Sequence, residues 1–335
     1  MDKNFIFGLF ILLGTVIGAG ILSVPYVFYH LGLLYSLLIM AIVVLFTLYV
    51  SFILAEVDVF RKGIKEIPGI FGMYFGEKAK NITFFLQLFS IYGAILAYLI
   101  GISTTISSLT GINQTIIGIV TFAIVGLIVY KGKDEVKISQ IFLTSIKISV
   151  IIVISLFLIA RYGINVETGN EISKSMLFSG YGVFMFSFMF YSIIPNLRRF
   201  VPEPAKLKKL IIIGVLITLS VYLMFAISTV SAYEENTKEI ITVSPESKDE
   251  KIMFSILIIF LLITPYITLS WTLKDTFIFD YSMHYKKAWL LSVSVPFLLF
   301  LVLPRSFIGV IETVGSVFGT LLYLMILSLR KRKIG

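Results

Sequence analysis

The chain has no cysteine, two histidines, two tryptophans and nine prolines in 335 residues. Without cysteine there is no disulfide, no thiol nucleophile and no thiolate metal site. Charge is scarce as well, with 14% of residues being Asp, Glu, Lys or Arg. The short patterns that carry catalysis are also missing. There is no His-Glu-x-x-His, no Gly-x-Ser-x-Gly and no pair of carboxylates inside an apolar run, so the sequence reads as a non-enzyme with no cofactor. No filter-like repeat or ring of charge marks a channel. The net charge of +9 does not point to nucleic acid. The basic residues are scattered over loops, as on a face solvated against anionic lipid.

What fills the chain is apolar: 58% of residues are hydrophobic and mean hydropathy is +0.99. The apolar residues come in long runs rather than alternating stripes, and a run of roughly 18 or more is a candidate membrane span. Ten such runs fall near 4–28, 33–56, 82–109, 114–130, 139–161, 178–195, 207–230, 252–273, 288–303 and 306–329. The reading is one all-α integral membrane domain over 1–335. Its expected location is the cell membrane, crossed many times. With the N-terminus inside, twenty-one Lys and Arg residues fall on inner segments and six on outer ones, so both termini are expected in the cytoplasm. Lys147 belongs to neither set and lies within the fifth run. Residues 57–80 read as holding a short amphipathic helix along the inner interface, and 231–250 as an acidic outer loop.

The first run is the most informative. In FIFGLFILLGTVIGAGILSVPYVF, residues 5–28, Gly14, Gly18 and Gly20 crowd the middle and Pro25 follows. Lipid cannot hydrogen-bond an exposed backbone, so a span that invites unwinding at its centre needs partners for the freed groups. Discontinuous helices at the membrane midplane serve secondary transporters in this way, although small residues at such spacing also pack helices closely. Ten spans divide as five plus five, about 4–161 and 178–329, which gives an inverted repeat and makes the first and sixth spans counterparts. The sixth, SGYGVFMFSFMFYSIIPNLRRF, carries Gly180, Gly182, Ser187, Ser192 and Pro195.

GTVIGAGILSVPYVF with SFILAEV resembles the amino acid/auxin permeases, in particular their hydroxy and aromatic amino acid branch. SIYGAILAYLIG, SFMFYSIIPNLRRF with KLKKLIIIG, TPYITLSWTLKD and PRSFIGVIETVGSVFG agree in the same order. The resemblance implies the five-plus-five LeuT-type fold with helices 1 and 6 discontinuous, and amino acid transport driven by an ion gradient. Three features depart from it. The chain stops after ten spans where the branch commonly has eleven. Met189 stands between Phe188 and Phe190 where the family has glycine. Tyr191-Ser192 replaces a His-Gly pair. An aromatic substrate is therefore not inherited with the resemblance.

An amino acid zwitterion needs an anion site, a cation site and a side-chain pocket. If helix 1 unwinds near 16–20, the amides of Gly18, Ala19 and Gly20 begin an outer half-helix whose positive end favours a carboxylate. Freed carbonyls of Gly14, Val16 and Ile17 then face an ammonium or a metal cation. Helix 6 offers carbonyls around Phe184 to Ser187 and the Ser187 hydroxyl, with Phe184, Phe188, Phe190, Tyr191 and Tyr98 as walls. Lys147 lies eight residues past Ser139, roughly 12 Å along a helix, near the expected break. In the resembled fold a sodium ion often sits there, and the matching positions are Gly14, Ile17, Thr264 and Pro265. Pro265 lacks a hydroxyl, and an ammonium fits the same volume. Burial disfavours the charged form of an amine, so proton-coupled symport is the expectation. Snorkelling of Lys147 to the interface is its structural alternative. Sodium-coupled symport, exchange and a non-transporting amino acid receptor are the competing readings, with the lipid bilayer, a small-molecule substrate and a proton or sodium ion as partners. Glu56 and Glu312 are second-choice proton carriers.

Overall fold

The computed structural model describes residues 3–57, 66–166, 169, 173–237 and 247–333, with only the backbone of 133–140 and 331–333. The loop cations Arg61, Lys62, Lys65 and Lys238, and the middle of the acidic loop, lie outside the described residues. The regular elements are all helical. They are α1 Lys3–Val16, α2 Gly20–Glu56, α3 Ile67–Phe75, α4 Glu77–Thr110, α5 Gln114–Lys131, α6 Lys133–Tyr162, α7 Lys174–Ser187, α8 Ile194–Phe200, α9 Pro204–Tyr233, α10 Lys248–Tyr281, α11 Tyr285–Val302, α12 Phe307–Thr313 and α13 Thr320–Lys333. A π-helical turn, Val314–Gly319, joins the last two.

Nine helices among the described residues are long and apolar enough to cross a membrane. The sequence reading gave ten. The difference lies at the N-terminus, where the expected span 4–28 is divided between the short α1 and the start of α2. At 37 residues a straight α2 would be about 55 Å long, well beyond a hydrocarbon core of about 30 Å. Gly32, with φ 77° and ψ 160°, interrupts it. Only glycine adopts that geometry without steric penalty, and beyond it the helix matches the second expected span.

Chain breaks fall in the first and sixth expected spans. Helix α1 stops at Val16, and α2 restarts at Gly20 through tight bonds from Ile21 N to Gly18 O (3.3 Å) and Leu22 N to Ala19 O (3.1 Å). Helix α7 continues through Ser187. The break then occupies Phe188–Phe190, a 3-10 turn follows at Tyr191–Ile193, and α8 begins at Ile194. Residues 184–187, where the sequence offered a break, are thus helical and the discontinuity comes just after them. Pro195 sits in the first turn of α8, where its missing N–H costs nothing. Gly180 and Gly182 stay helical and serve close packing. A Cβ on Gly182 would lie 3.2 Å from the carbonyl oxygen of Glu312.

The short helix expected within 57–80 is α3, but its first turn, Ile67 to Phe71, is buried rather than spread on an interface. The Asp280 carboxylate, at the end of α10, accepts from the amides of Glu66 (3.0 Å) and Gly69 (2.7 Å). It satisfies donors that a helix start leaves open.

Candidate functional site

Helices α1, α6, α9 and α10 meet at the first break. There the Lys147 ammonium, fully buried, donates to Gly14 O at 2.8 Å, Ile17 O at 2.5 Å and Thr264 Oγ1 at 2.7 Å. An ammonium has three donors, and all three are used. The side chain crosses to α1 and α10 instead of running along α6 to the interface. Of the positions singled out in the sequence, Lys147, Gly14, Ile17 and Thr264 come together here.

The remaining carbonyl of the break is also taken. Tyr222, from α9, donates its hydroxyl to Val16 O at 2.7 Å and lies 3.3 Å from Ser187 O. One tyrosine thus ties the end of α1 to the end of α7. Of the carbonyls read as acceptors for an ammonium or a metal cation, those of Gly14 and Ile17 take the Lys147 ammonium, whereas that of Val16 takes the Tyr222 hydroxyl instead. The amides of Ala19 and Gly20 have no backbone acceptor, and they stand at the positive end of α2. Gly20 is needed for packing as well, since a Cβ there would lie 2.7 Å from both Cα and Cβ of Ser187.

Against the break lies a narrow cavity with room for about one or two ordered waters. Val16, Gly18, Ala19, Gly20 and Tyr98 line it, together with Thr15. Tyr98 is 4% exposed. Its wall from α4 continues as Ser90, Ile91 and Ala94, and Phe186, Met189, Tyr191, Ser192 and Leu269 close the rest. Four proposed lining residues do not reach it. Phe188 packs against Tyr222 of α9, with ring centroids 5.3 Å apart. Phe184 packs edge-on against Phe28, with ring centroids 6.1 Å apart. Phe190 is buried in the core. Ser187 turns its hydroxyl back to Val183 O at 2.7 Å, the usual fate of a serine inside a helix.

The α4 wall was readable from Tyr98, because residues 90, 94 and 98 recur at the four-residue spacing of one helix face. The Met189 thioether fills space between α4 and the π-helical turn. Ser90 Oγ is 3.9 Å from its sulfur, and a Cβ on Gly319 would lie 2.7 Å from the same atom. Such π turns recur at functional sites.

Buried ionic groups close both ends of the helix bundle. At the α3 end, fully buried Glu66 is paired with Arg199 Nη2, Arg199 Nη1 donates to Asp275 Oδ2 at 2.8 Å, and Asn196 Nδ2 reaches Glu66 Oε2 at 3.4 Å. Burial pushes the Glu66 carboxyl well above the usual range; Arg199 opposes this, and Asp275 and Asp280 add to it. At the other end Glu250 accepts from Arg161 Nη1 (2.9 Å), Tyr162 (3.1 Å) and Tyr233 (3.0 Å). Of the second-choice carriers, Glu56 is an exposed partner of Lys208, and Glu312 accepts from Ser179 at 2.5 Å. Among the described residues no group of His, Cys, Asp and Glu is placed to hold a metal ion.

Two interrupted helices packed around a buried cavity, with nine membrane-capable helices among the described residues, define a LeuT-type membrane protein. The solved structure of MhsT in complex with L-phenylalanine superposes with a TM-score of 0.68 at 14% identity, over 97% of this chain and 88% of that one. A model of the tryptophan/tyrosine permease family matches residues 1–333, and the chain belongs to that family of multi-pass membrane proteins. It is 28% identical over 240 residues to Glutamine transporter 2 of Aliivibrio fischeri, covering 68% of this chain and 60% of that protein. It is 23% identical over 227 residues to Tyrosine-specific transport system 1 of Haemophilus influenzae, covering 67% and 56%. The chain thus spans 60% and 56% of the length of these curated relatives.

Proposed function

We propose that the protein is a secondary amino acid transporter that couples substrate movement to protons. The substrate carboxylate rests on the Ala19 and Gly20 amides at the start of α2, beside the buried Tyr98 hydroxyl. A helix N-terminus favours an anion both through its open N–H groups and through its dipole. With the α1 carbonyls occupied, the substrate ammonium turns to Thr15, Ser90 and Ser192. The family and the names of the relatives support amino acids as the substrate class. The two halves act as an inverted repeat that exposes the cavity to one side and then the other, with the α3 end and both termini in the cytoplasm.

The observation that carries proton coupling is the Lys147 ammonium with its three acceptors on α1 and α10. A cation there braces the broken helix to its neighbour. Loss of the proton removes the charge that draws in Gly14 O and Ile17 O and so frees the end of α1 to move. The test is uptake of labelled amino acids by the full chain in proteoliposomes, with pH and sodium gradients imposed separately. Accumulation driven by the pH gradient alone is the expected result. A strict sodium requirement overturns the coupling, and absence of uptake or binding of any amino acid overturns the substrate class.

A further inference from the structure

We infer that a groove between the start of α1 and the turn joining α8 to α9 binds an anionic phospholipid. The phosphate lies against Lys206 and Lys209, and an acyl chain lies against Phe5, Phe200, Val201 and Ile213. This site stands apart from the central cavity and from whatever that cavity binds.

The groove encloses about 420 Å³, within the range of about 300–1,000 Å³ usual for sites that hold small molecules. Farther along, α1 and α9 are drawn together at glycines. A Cβ on Gly8 would lie 2.9 Å from Leu210 Cδ1, and one on Gly214 would collide with Leu12. One turn nearer the chain start Phe5 stands in place of glycine, and the groove opens between it and the first turns of α9. Phe5, Phe200 and Val201 are buried and form its apolar wall. Phe200 is held edge-on by Phe7, with ring centroids 4.7 Å apart.

Along one face of α9 the groove meets Lys206, Lys209 and then Ile213, at the three- and four-residue spacings of a single helix face. The cations stand at the helix start and the apolar residue follows. A phospholipid presents charge and then hydrocarbon in the same order from the membrane surface inward. The helices that form the groove also carry exposed Ile6, Ile212 and Leu216, a surface that the bilayer hydrocarbon covers. One carboxylate shares the rim: Glu203 lies 2.7 Å from Lys206 Nζ. It offsets one of the two cations, and the charge left over sets the sign of the head group. Glu203 makes no side-chain cap to α9, so the positive end of that helix adds to the attraction. Basic pockets at the ends of membrane helices suit anionic head groups. Inorganic phosphate would leave the apolar wall uncovered. A lipid held here touches α1 at Phe5 and α9 from Lys206 to Ile213, and so pins the end of α1 to its neighbour.

The test is thermal unfolding of the full chain in detergent, titrated separately with phosphatidylglycerol, with phosphatidylcholine of the same acyl chains and with inorganic phosphate. Stabilisation that depends on concentration reports binding. The native chain should bind phosphatidylglycerol with an apparent affinity at least about tenfold above that for phosphatidylcholine, and should not respond to phosphate. Lys206→Gln with Lys209→Gln should abolish the preference, and Glu203→Gln should increase it. Lys286→Gln with Lys287→Gln is the control. These lysines are exposed at the start of α11, away from the groove, and their replacement removes the same charge. Ile213→Trp, which fills the groove, should weaken phosphatidylglycerol binding with every cation in place. An equal response to both lipids, an equal loss in the two lysine pairs, binding untouched by Ile213→Trp, or full stabilisation by phosphate alone overturns the site. No amino acid enters the assay, so its outcome is separate from the substrate class.

Discussion

Replacement of Lys147 by methionine tests coupling most directly, provided that the variant folds, and the geometry indicates that it does. Three charge-assisted hydrogen bonds are lost, at about 1.5–3 kcal/mol each, or about 5–9 kcal/mol in all. Against this, an ammonium no longer has to be held out of water, which returns several kcal/mol, and methionine keeps most of the packed stem. Thr264 still donates to Phe260 O, so the two groups left open are the carbonyls of Gly14 and Ile17. The net loss comes to about 0–3 kcal/mol, within the range of tolerated single substitutions. Transport should respond far more. A proton moving down one pH unit releases about 1.4 kcal/mol, enough to sustain about a tenfold solute gradient at one proton per substrate. Lys147→Met should still exchange labelled substrate across the membrane, and its accumulation under that pH gradient should fall to the equilibrium ratio of about one. The assay is paired uptake and exchange in proteoliposomes, with thermal unfolding as the folding check. Full pH-driven accumulation by a folded Lys147→Met protein would refute the reasoning.

Other substitutions probe the remaining parts of the site. Gly20→Ala drives a methyl against the Ser187 backbone and should cost about 1–3 kcal/mol as overpacking, whereas the methyl of Gly18→Ala comes no nearer than 3.0 Å to a packed neighbour, the Cγ of Pro265; thermal unfolding of the two should rank them in that order. Met189→Gly withdraws the thioether from the cavity, and competition binding should show larger side chains gaining affinity relative to small ones by about tenfold or more, the scale of one to three kcal/mol per misfit group in a pocket. Glu66 binds its proton more tightly folded than unfolded, so its contribution to stability is fully present below the ordinary carboxyl range near 4.5 and is lost as pH rises toward its folded value. Thermal unfolding from pH 4.5 upward should therefore fall more steeply for the native chain than for Glu66→Gln, and parallel curves would count against an upward shift of the buried Glu66 carboxyl.

The sequence revealed the first break and its cation because both are local anomalies in an apolar background. Glycines crowd the middle of a span, and a lysine stands where no charge belongs. Distance along a helix then sufficed to bring Lys147 to the right depth. The second break was harder to place. Gly180 and Gly182 stand early in the sixth span and are spent on close packing, Gly180 against Val27 and Leu31 of α2 and Gly182 against Glu312 and Ser316. The helix opens instead at Phe188–Phe190, where Tyr222 from α9 and Tyr323 from α13 donate to Ser187 O and Phe188 O, at 3.3 and 3.5 Å. Those tyrosines are distant in sequence, and nothing in the local pattern points to them. The same holds for the ionic cluster, whose members Glu66, Arg199 and Asp275 lie 76 or more residues apart.

Partition of the freed backbone groups at the first break decides what the site can bind. A gap in a membrane helix exposes acceptors on one side and donors on the other, and each must find a partner or water. Here Lys147 and Tyr222 satisfy the acceptors of Gly14, Val16 and Ile17, leaving the donors of Ala19 and Gly20 at the positive end of α2. The break is thus prepared for an anion, and its cation position is already filled by the protein's own ammonium. A metal ion entering the same place would have to displace Lys147 from three hydrogen bonds and would then sit beside its charge. The proposed coupling through a resident titratable amine meets no such conflict, and under that proposal the strength of carboxylate binding at Ala19 and Gly20 depends on how firmly Lys147 holds the end of α1. In Lys147→Met, amino acid affinity should therefore weaken even in the absence of any gradient, an effect that isothermal titration can read separately from uptake.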